Sequence, residues 1–416
     1  MRGLTPMAPP VIWPDPDRAA QLWRAHHDDL AALTARDRLR SLKPRRGCDF
    51  ASNDYLALSG SARLRDAMAD ALARGVPAGS GGSRLLRGND PEHEALEAEA
   101  AAWAGSESAL FLSSGYAANV ALLATLPQRG DLIIHDELIH ASMHEGLRLS
   151  RAMAIAVPHN DADAFADAAA HWRAKGGRAK GGHAKGGHAN GEHGRIWLAF
   201  ETLYSMDGDR APLADLVAIA ERHDAIMLID EAHATGVFGR GGRGLVADLA
   251  QPLDGRPDTI VLRTCGKALG AEGALICAPA VVRDFLINRG RPFIFSTAPS
   301  PVMAATVREA IRICADEPER RARLAALVAE AGRTLAPLGA TVTGTQILPL
   351  ILGEDARAMR LAGALQVAGF DVRGIRPPTV PQGTARLRIS LTLNSRPEDL
   401  RALAEALTCA LEGEPL

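Results

Sequence analysis

Leu228-Ile229-Asp230-Glu231-Ala232-His233 closes one apolar run of the chain, and Thr264-Cys265-Gly266-Lys267-Ala268-Leu269-Gly270 follows the next, Thr259-Ile260-Val261-Leu262-Arg263. Short runs that are apolar at odd and even positions alike are the pattern of strands covered on both faces. An acid ending one strand and a lysine between glycines after the other put a carboxylate and an amine at strand ends. A lysine there is ordinarily a solvated cation. Asp230 and His233 in the companion run turn Lys267 into a candidate reactive amine.

Similar runs extend outward from this pair. Candidate strands fall at 109–112, 132–135, 154–157, 196–200, 225–229, 260–262 and 274–276, with helical spacing between them, as in 213–223. This alternation predicts an α/β domain with a mainly parallel central sheet and ligands at the carboxyl ends of its strands. After Pro299 the pattern changes to one long helix (about 301–335), strand-like pieces at 346–352 and 385–391, and a final helix from Pro397. The expected organisation is an N-terminal arm and helix (1–50), a large α/β domain (51–298) and a smaller C-terminal α+β domain (299–416).

The totals narrow the function. A chain of 416 residues has ample core, and its formal net charge of -2 gives no global attraction to nucleic acid or anionic lipid. No apolar run approaches a membrane span. The five cysteines, Cys48, Cys265, Cys277, Cys314 and Cys409, lack CxxC or CxxH spacing. That argues against a disulfide framework or a zinc site and for a reducing compartment. Residues 1–16 carry Pro9, Pro10, Pro14 and Pro16 without a signal-peptide core, so they read as a frayed arm of a cytoplasmic protein. Residues 174–193 repeat a five-residue Ala-Lys-Gly-Gly-His-like unit, which reads as a basic surface insertion. Its His183, His188 and His193 could chelate a metal only if the loop curled, and no metal is expected.

Four services required by a pyridoxal phosphate site have candidates. Lys267 offers the amine for a Schiff base, beside Gly266, which permits close backbone approach. Asp230 offers a carboxylate to keep the pyridine nitrogen protonated. Ser113-Ser114-Gly115-Tyr116-Ala117-Ala118-Asn119 follows a strand and opens a helix, where free amides and hydroxyls suit a phosphate. It is equally an ordinary helix cap. Thr264 can add a hydroxyl, and His140 can cover the ring and donate to a substrate.

Together these pieces resemble the fold-type I pyridoxal phosphate enzymes, and within them the α-oxoamine synthases. The resemblance rests on Ser52-Asn53-Asp54-Tyr55-Leu56, Gly79-Ser80-Gly81-Gly82-Ser83-Arg84, Ser114-Gly115-Tyr116, Ile139-His140-Ala141-Ser142, Ser205-Met206-Asp207-Gly208-Asp209, Asp230 to Gly236 and Thr264 to Lys267. Late in the chain, Gly374-Ile375-Arg376-Pro377-Pro378-Thr379-Val380-Pro381 through Arg388 looks like the 8-amino-7-oxononanoate synthases of biotin synthesis. Cys265 and Glu272 stand where that family commonly has bulkier apolar and small residues.

The resemblance implies condensation of L-alanine with a pimeloyl thioester, on coenzyme A or a carrier protein, with loss of carbon dioxide. It implies that Lys267, Asp230 and His140 are catalytic. His233, Ser205, Thr264, Ser114, Gly115 and Tyr116 would bind the cofactor, with Thr297 reaching it from the second subunit of a homodimer. Arg388, Asn53, Arg40, Thr379, Arg376 and His140 would contact substrate. A sister synthase using glycine or serine, and a non-catalytic cofactor-binding protein, are the alternative expectations.

Overall fold

The computed structural model describes residues 16–177 and 194–413. Seven strands form the central sheet: β2 (Ser108–Leu112), β3 (Leu132–Asp136), β4 (Met153–Val157), β5 (Ile196–Glu201), β6 (Ala225–Asp230), β7 (Thr259–Thr264) and β8 (Ala274–Ala278). Their order across the sheet is β2-β8-β7-β6-β5-β3-β4. The five strands β3 to β7 are parallel to one another, while β8 is antiparallel to both its neighbours. The chain is therefore α/β with a mainly parallel sheet. β5, β6 and β7 are buried along their length apart from Ile226, the reason their sequence shows no polar alternation.

The pleat sorts side chains onto two cores. Leu228 and Leu262 pack on one face with the helices Gly115–Thr125 and Ala141–Leu149, while Ile229 and Val261 join the larger core on the other. Asp230 continues the Leu228 parity and Thr264 that of Leu262, so both strand ends point their polar residue to the same side.

A three-stranded antiparallel sheet, β11-β12-β9, follows later in the chain: β9 (Ile347–Gly353), β11 (Arg373–Ile375) and β12 (Ala385–Ser390). β1 (Cys48–Asp49) pairs in parallel with β10 (Phe370–Asp371). Phe50 and Tyr55 carbonyls accept from Ser390 and Leu393, so the segment after β1 is stitched to the C-terminal region. The single helix expected over about 301–335 is instead two, Pro301–Asp316 and Pro318–Leu335. Pro318 has no N–H for the first helix and starts the second, a position proline favours.

Of the expected surface insertion, residues 178–193 lie outside the described residues, with His183, His188 and His193 among them, as does the arm 1–15. The helix Ala162–Ala174 ends where the repeat begins, and Gly194 N donates to Gly177 O at 3.1 Å. The sixteen-residue segment thus leaves and rejoins the fold at adjacent points, between a helix and β5. Among the described residues no helix is long and apolar enough to cross a membrane.

Candidate active site

A cavity of about 670 Å³ lies at the carboxyl ends of the central strands. Glu137, His140, Ser205, His233 and Lys267 line it from the large sheet, and Asn53, Arg40, Arg373, Thr379 and Arg388 from the C-terminal side. Residues more than two hundred positions apart in sequence meet here because β12 brings its side chains over the strand ends.

Asp230, 3 % exposed, forms one side of the site. Its Oδ2 accepts from Asn119 Nδ2 at 2.7 Å and its Oδ1 from the Ala232 amide at 2.8 Å. Both donors are neutral, so the carboxylate is left to pair with a cation brought by a ligand, which is what a protonated pyridine nitrogen supplies. The second Asn119 hydrogen goes to Ser142 Oγ at 3.0 Å, and Ser142 Oγ lies 2.7 Å from His140 Nδ1. The Ser142 amide also donates to His140 Nδ1, at 3.2 Å. With Nδ1 an acceptor, the network assigns the neutral imidazole its proton on Nε2. Burial, and the charge of Lys267, lower the His140 pKa despite Asp230. His140 is therefore a neutral donor at neutral pH.

Lys267 follows β7 in a turn closed by Gly270, whose φ of 64° and lack of a side chain let it pass against Leu58 and Ser59. Its Nζ is 2.8 Å from His233 Nε2, and His233 Nδ1 is 2.7 Å from the Tyr55 hydroxyl. Tyr55 donates in turn to Asn53 Oδ1 at 3.0 Å. One assignment satisfies every partner: Lys267 donates to His233, His233 to Tyr55 and Tyr55 to Asn53. His233 is buried, and burial with the Lys267 and Arg388 charges keeps it neutral by pushing its pKa well down. Burial lowers Lys267 to about 8, although Asp230 and Glu201 pull the other way.

Arg388, 6 % exposed, donates from Nε to Ser205 O at 2.5 Å, from Nη1 to Ser390 Oγ at 2.5 Å and from Nη2 to Asn53 Oδ1 at 3.1 Å. Every one of these acceptors is neutral. Its strand neighbour on the same face, Arg386, instead pairs with Asp207 at 2.5 Å. A buried guanidinium fixed by neutral acceptors and bordering a cavity can receive a carboxylate.

The remaining expected residues divide by location. Ser114 caps the helix Gly115–Thr125, accepting from Ala117 N, so the Gly115 and Tyr116 amides open it without intrahelical carbonyls. Thr264 Oγ1 would lie 3.5 Å from a Cβ on Gly115, which puts its hydroxyl beside that helix start. Arg40 Nη2 donates to Thr379 Oγ1 at 3.1 Å at the cavity edge. Arg376 is directed elsewhere, with Nη2 on Leu39 O at 3.0 Å, and does not line the cavity. Thr297 is exposed in the turn before Ala298, whose amide donates to Gly82 O. It too is outside the cavity formed by this one chain.

Sequence reasoning left out Tyr55, Asn119, Glu201 and Arg373. Glu201 ends β5 opposite Asp230 in register, and burial followed by repulsion from Asp230 raises its pKa well above the ordinary carboxyl value. A strand-final acid beside the Asp230 run was the available signal. Tyr55 and Asn119 lay inside quoted motifs, but nothing local to them points toward His233 or Asp230.

Comparison with known proteins identifies the family. Residues 45–407 match the family model for aminotransferase class I and II. A protein named 8-amino-7-oxononanoate synthase from Anaeromyxobacter dehalogenans is 39% identical over 402 residues, 93% of this chain and 95% of that one. One of the same name from Burkholderia thailandensis is 43% identical over 374 residues, covering 87% and 88%. The chain belongs to the 8-amino-7-oxononanoate synthase family. A Francisella tularensis structure of that name superposes with TM-score 0.70 at 25% identity, over 88% of this chain and 98% of its own. A Sphingomonas wittichii serine palmitoyltransferase superposes with TM-score 0.80 at 26% identity, over 96% and 98%. Family membership makes the chain a fold-type I enzyme and an acyltransferase, of the class whose cofactor is pyridoxal phosphate.

Proposed function

We propose that this enzyme condenses L-alanine with a pimeloyl thioester, releasing carbon dioxide and the free thiol and forming 8-amino-7-oxononanoate for biotin synthesis. The observation that carries the reading is Arg388, a buried cation held only by neutral acceptors beside Lys267 and His140. An amino acid carboxylate completes it; the names of the relatives supply the choice of alanine and pimeloyl.

The residues present fit pyridoxal phosphate. Lys267 would hold it covalently, Asp230 would pair with its ring nitrogen, and His233 and Ser205 would face its phenolic oxygen. The Ser114–Tyr116 helix start and Thr264 would take the phosphate. When bound, the cofactor supplies a protonated ring that accepts the electron pair released at the amino acid's α-carbon.

The chain's own residues do the rest. Arg388 fixes the alanine carboxylate and so orients the α-hydrogen. Lys267 Nζ, with a pKa near 8, removes that proton. His140 already presents Nε2–H, held there by Ser142 on Nδ1, and hydrogen-bonds the thioester oxygen as the new carbon–carbon bond forms. The carbonyl re-forms as the carbon–sulfur bond breaks, and the thiol leaves with the proton that Lys267 took. The bond to the carboxylate then breaks, carbon dioxide departs and the α-carbon takes a proton from solvent. His233 and Tyr55 hold the amine end in place through their hydrogen-bond chain.

Two copies would complete the site in a cytoplasmic homodimer. The helix Arg24–Ala35 has no buried residue, and Trp23, Leu30, Tyr116 and Phe295 are exposed, which supports a partner surface that brings Thr297 to the neighbour's phosphate. The serine palmitoyltransferase likeness favours a second reading, serine with a long-chain thioester. A substrate panel separates them: product and carbon dioxide from alanine plus pimeloyl thioester are expected, and turnover of serine with palmitoyl-CoA alone would overturn the proposal.

A further inference from the structure

Arg373 lines the active-site cavity but takes no part in the bond changes. It stands in β11 directly opposite Arg388 in β12. Opposed residues of an antiparallel pair share a face, with Cβ atoms about 5 Å apart. The two guanidinium groups therefore leave the sheet on the same side. Strand parity puts Ile375 there as well, also in the cavity wall, and turns Gly374 and Arg376 to the other side. On that side a Cβ at Gly374 would meet Met359 in the helix Asp355–Val367, and Arg376 Nη1 reaches the same Met359 sulfur at 2.9 Å. The alternation explains why the cavity holds Arg373 and not the Arg376 expected from sequence.

Arg373 is oriented by one neighbour. Its Nε lies 2.7 Å from Asp371 Oδ1, and its Nη2 donates to Asp371 Oδ2 at 2.9 Å. This fork occupies one edge of the planar group. Among the described residues nothing bonds Nη1, so the edge formed by Nη1 and the second Nη2 hydrogen is open, on a side chain 37% exposed. A guanidinium fixed along one edge and free along another is shaped for two parallel bonds to a second carboxylate. Arg40, at the cavity edge, has only its hydrogen bond to Thr379 and comes from a stretch without regular secondary structure. Like charges directly opposite one another destabilise a sheet, and a ligand with two carboxylates relieves that repulsion.

We propose that Arg373 is the specificity-determining residue for the far carboxylate of a dicarboxylic acyl chain, as Arg388 is for the amino acid carboxylate. The inference rests on the proposed reaction and deepens it. Between its two carboxyl carbons an extended pimeloyl chain spans about 7.5 Å, six carbon–carbon bonds of about 1.5 Å in zigzag. Ile375, Val380 and Pro381 in the same wall offer apolar surface to the methylenes between. An acyl chain ending in a methyl group leaves the open edge of Arg373 shielded from water and unpaired.

The test compares pimeloyl-CoA with heptanoyl-CoA, the same seven-carbon chain without the far carboxylate, in holoenzyme with alanine. The readout is the ratio of their kcat/KM values, because lost folding or lost cofactor lowers both alike and leaves the ratio in place. Wild type should favour pimeloyl-CoA by about 30-fold or more. Arg373→Met should bring the ratio to within about threefold of unity, and Arg373→Lys should restore part of it. Calorimetric titration of holoenzyme with each thioester, without alanine, gives the same ratio from dissociation constants. A wild-type ratio in Arg373→Met overturns the inference, and so does a preference abolished by Arg40→Met alone. A higher KM for alanine in Arg373→Met with the donor ratio unchanged overturns it too, since Arg373 would then serve the amino acid. A binding preference that Arg373→Met removes, in an enzyme that forms no product from either donor, would strike the proposed reaction and leave the receptor standing.

Discussion

Burial holds the Lys267 ammonium down to a pKa of about 8 against the pull of Asp230 and Glu201. Only the neutral amine attacks a carbonyl, so apoenzyme should capture pyridoxal phosphate about tenfold faster per pH unit below 8 and level off above it. Stopped-flow absorbance after cofactor addition measures this. A rate still climbing at pH 10 would mean that the amine is not depressed. Lys267→Ala should show no covalent capture. Arg388 poses a different residue-scale question, since lysine keeps its charge but loses the planar fork held by Ser205, Asn53 and Ser390. Arg388→Lys should raise KM for alanine by about 10–100-fold with cofactor affinity retained. An unchanged KM would remove Arg388 from substrate binding.

The elements that carry Asp230 and Lys267 are joined on the opposite face of the sheet. Glu231, next to Asp230, and Arg263, before Thr264, are fully buried and pair at 2.9 Å, and Arg263 also binds Asp254 at 2.9 Å. Glu231 further accepts from Thr202 and the Val246 amide, and Gly244 packs so closely that a Cβ would meet its carboxylate. The pair thus fixes β6 against β7 one residue from each functional end. Arg263→Met should cost about 3–5 kcal/mol in denaturant unfolding, since two acids lose their buried cation. Adding Glu231→Gln should restore part of the loss, and additive effects of the two changes would disprove their coupling. This network also shows why legibility stopped where it did. β5, β6 and β7 announce themselves because both their faces are apolar, and Lys267 because it follows such a strand. Whether Arg376, Arg386 or Arg388 faces the cavity depends instead on strand parity and on what sits across the gap. Tyr55 meets His233 from 178 residues away, and no local pattern encodes that contact. The break at Pro318 was readable from the residue itself.

At the scale of the whole molecule, the cavity depends on several strand ends keeping their relative positions. His159, just past β4, ties three of these regions together. Its Nδ1 is 3.0 Å from Asp136 at the end of β3, and its Nε2 is 2.8 Å from Asp209, which follows the Ser205 turn after β5. Burial disfavours the imidazolium, but Asp136 and then Asp209 outweigh it and hold His159 at about 10. The folded-state value lies above the unfolded value of about 6.5, so its stabilisation is complete below that pH and is lost as pH rises toward 10. His159→Gln keeps a polar side chain of similar reach but has no proton to lose. Wild type should therefore exceed the variant by about 3 kcal/mol near pH 6, with the gap closing between pH 7 and 10. Thermal or urea unfolding of apoenzyme across that window measures it, free of the cofactor's own linkage. A gap that stays constant with pH would show that the histidine acts by packing against Tyr204, its ring neighbour at 4.4 Å, and that charge does not hold the strand ends together.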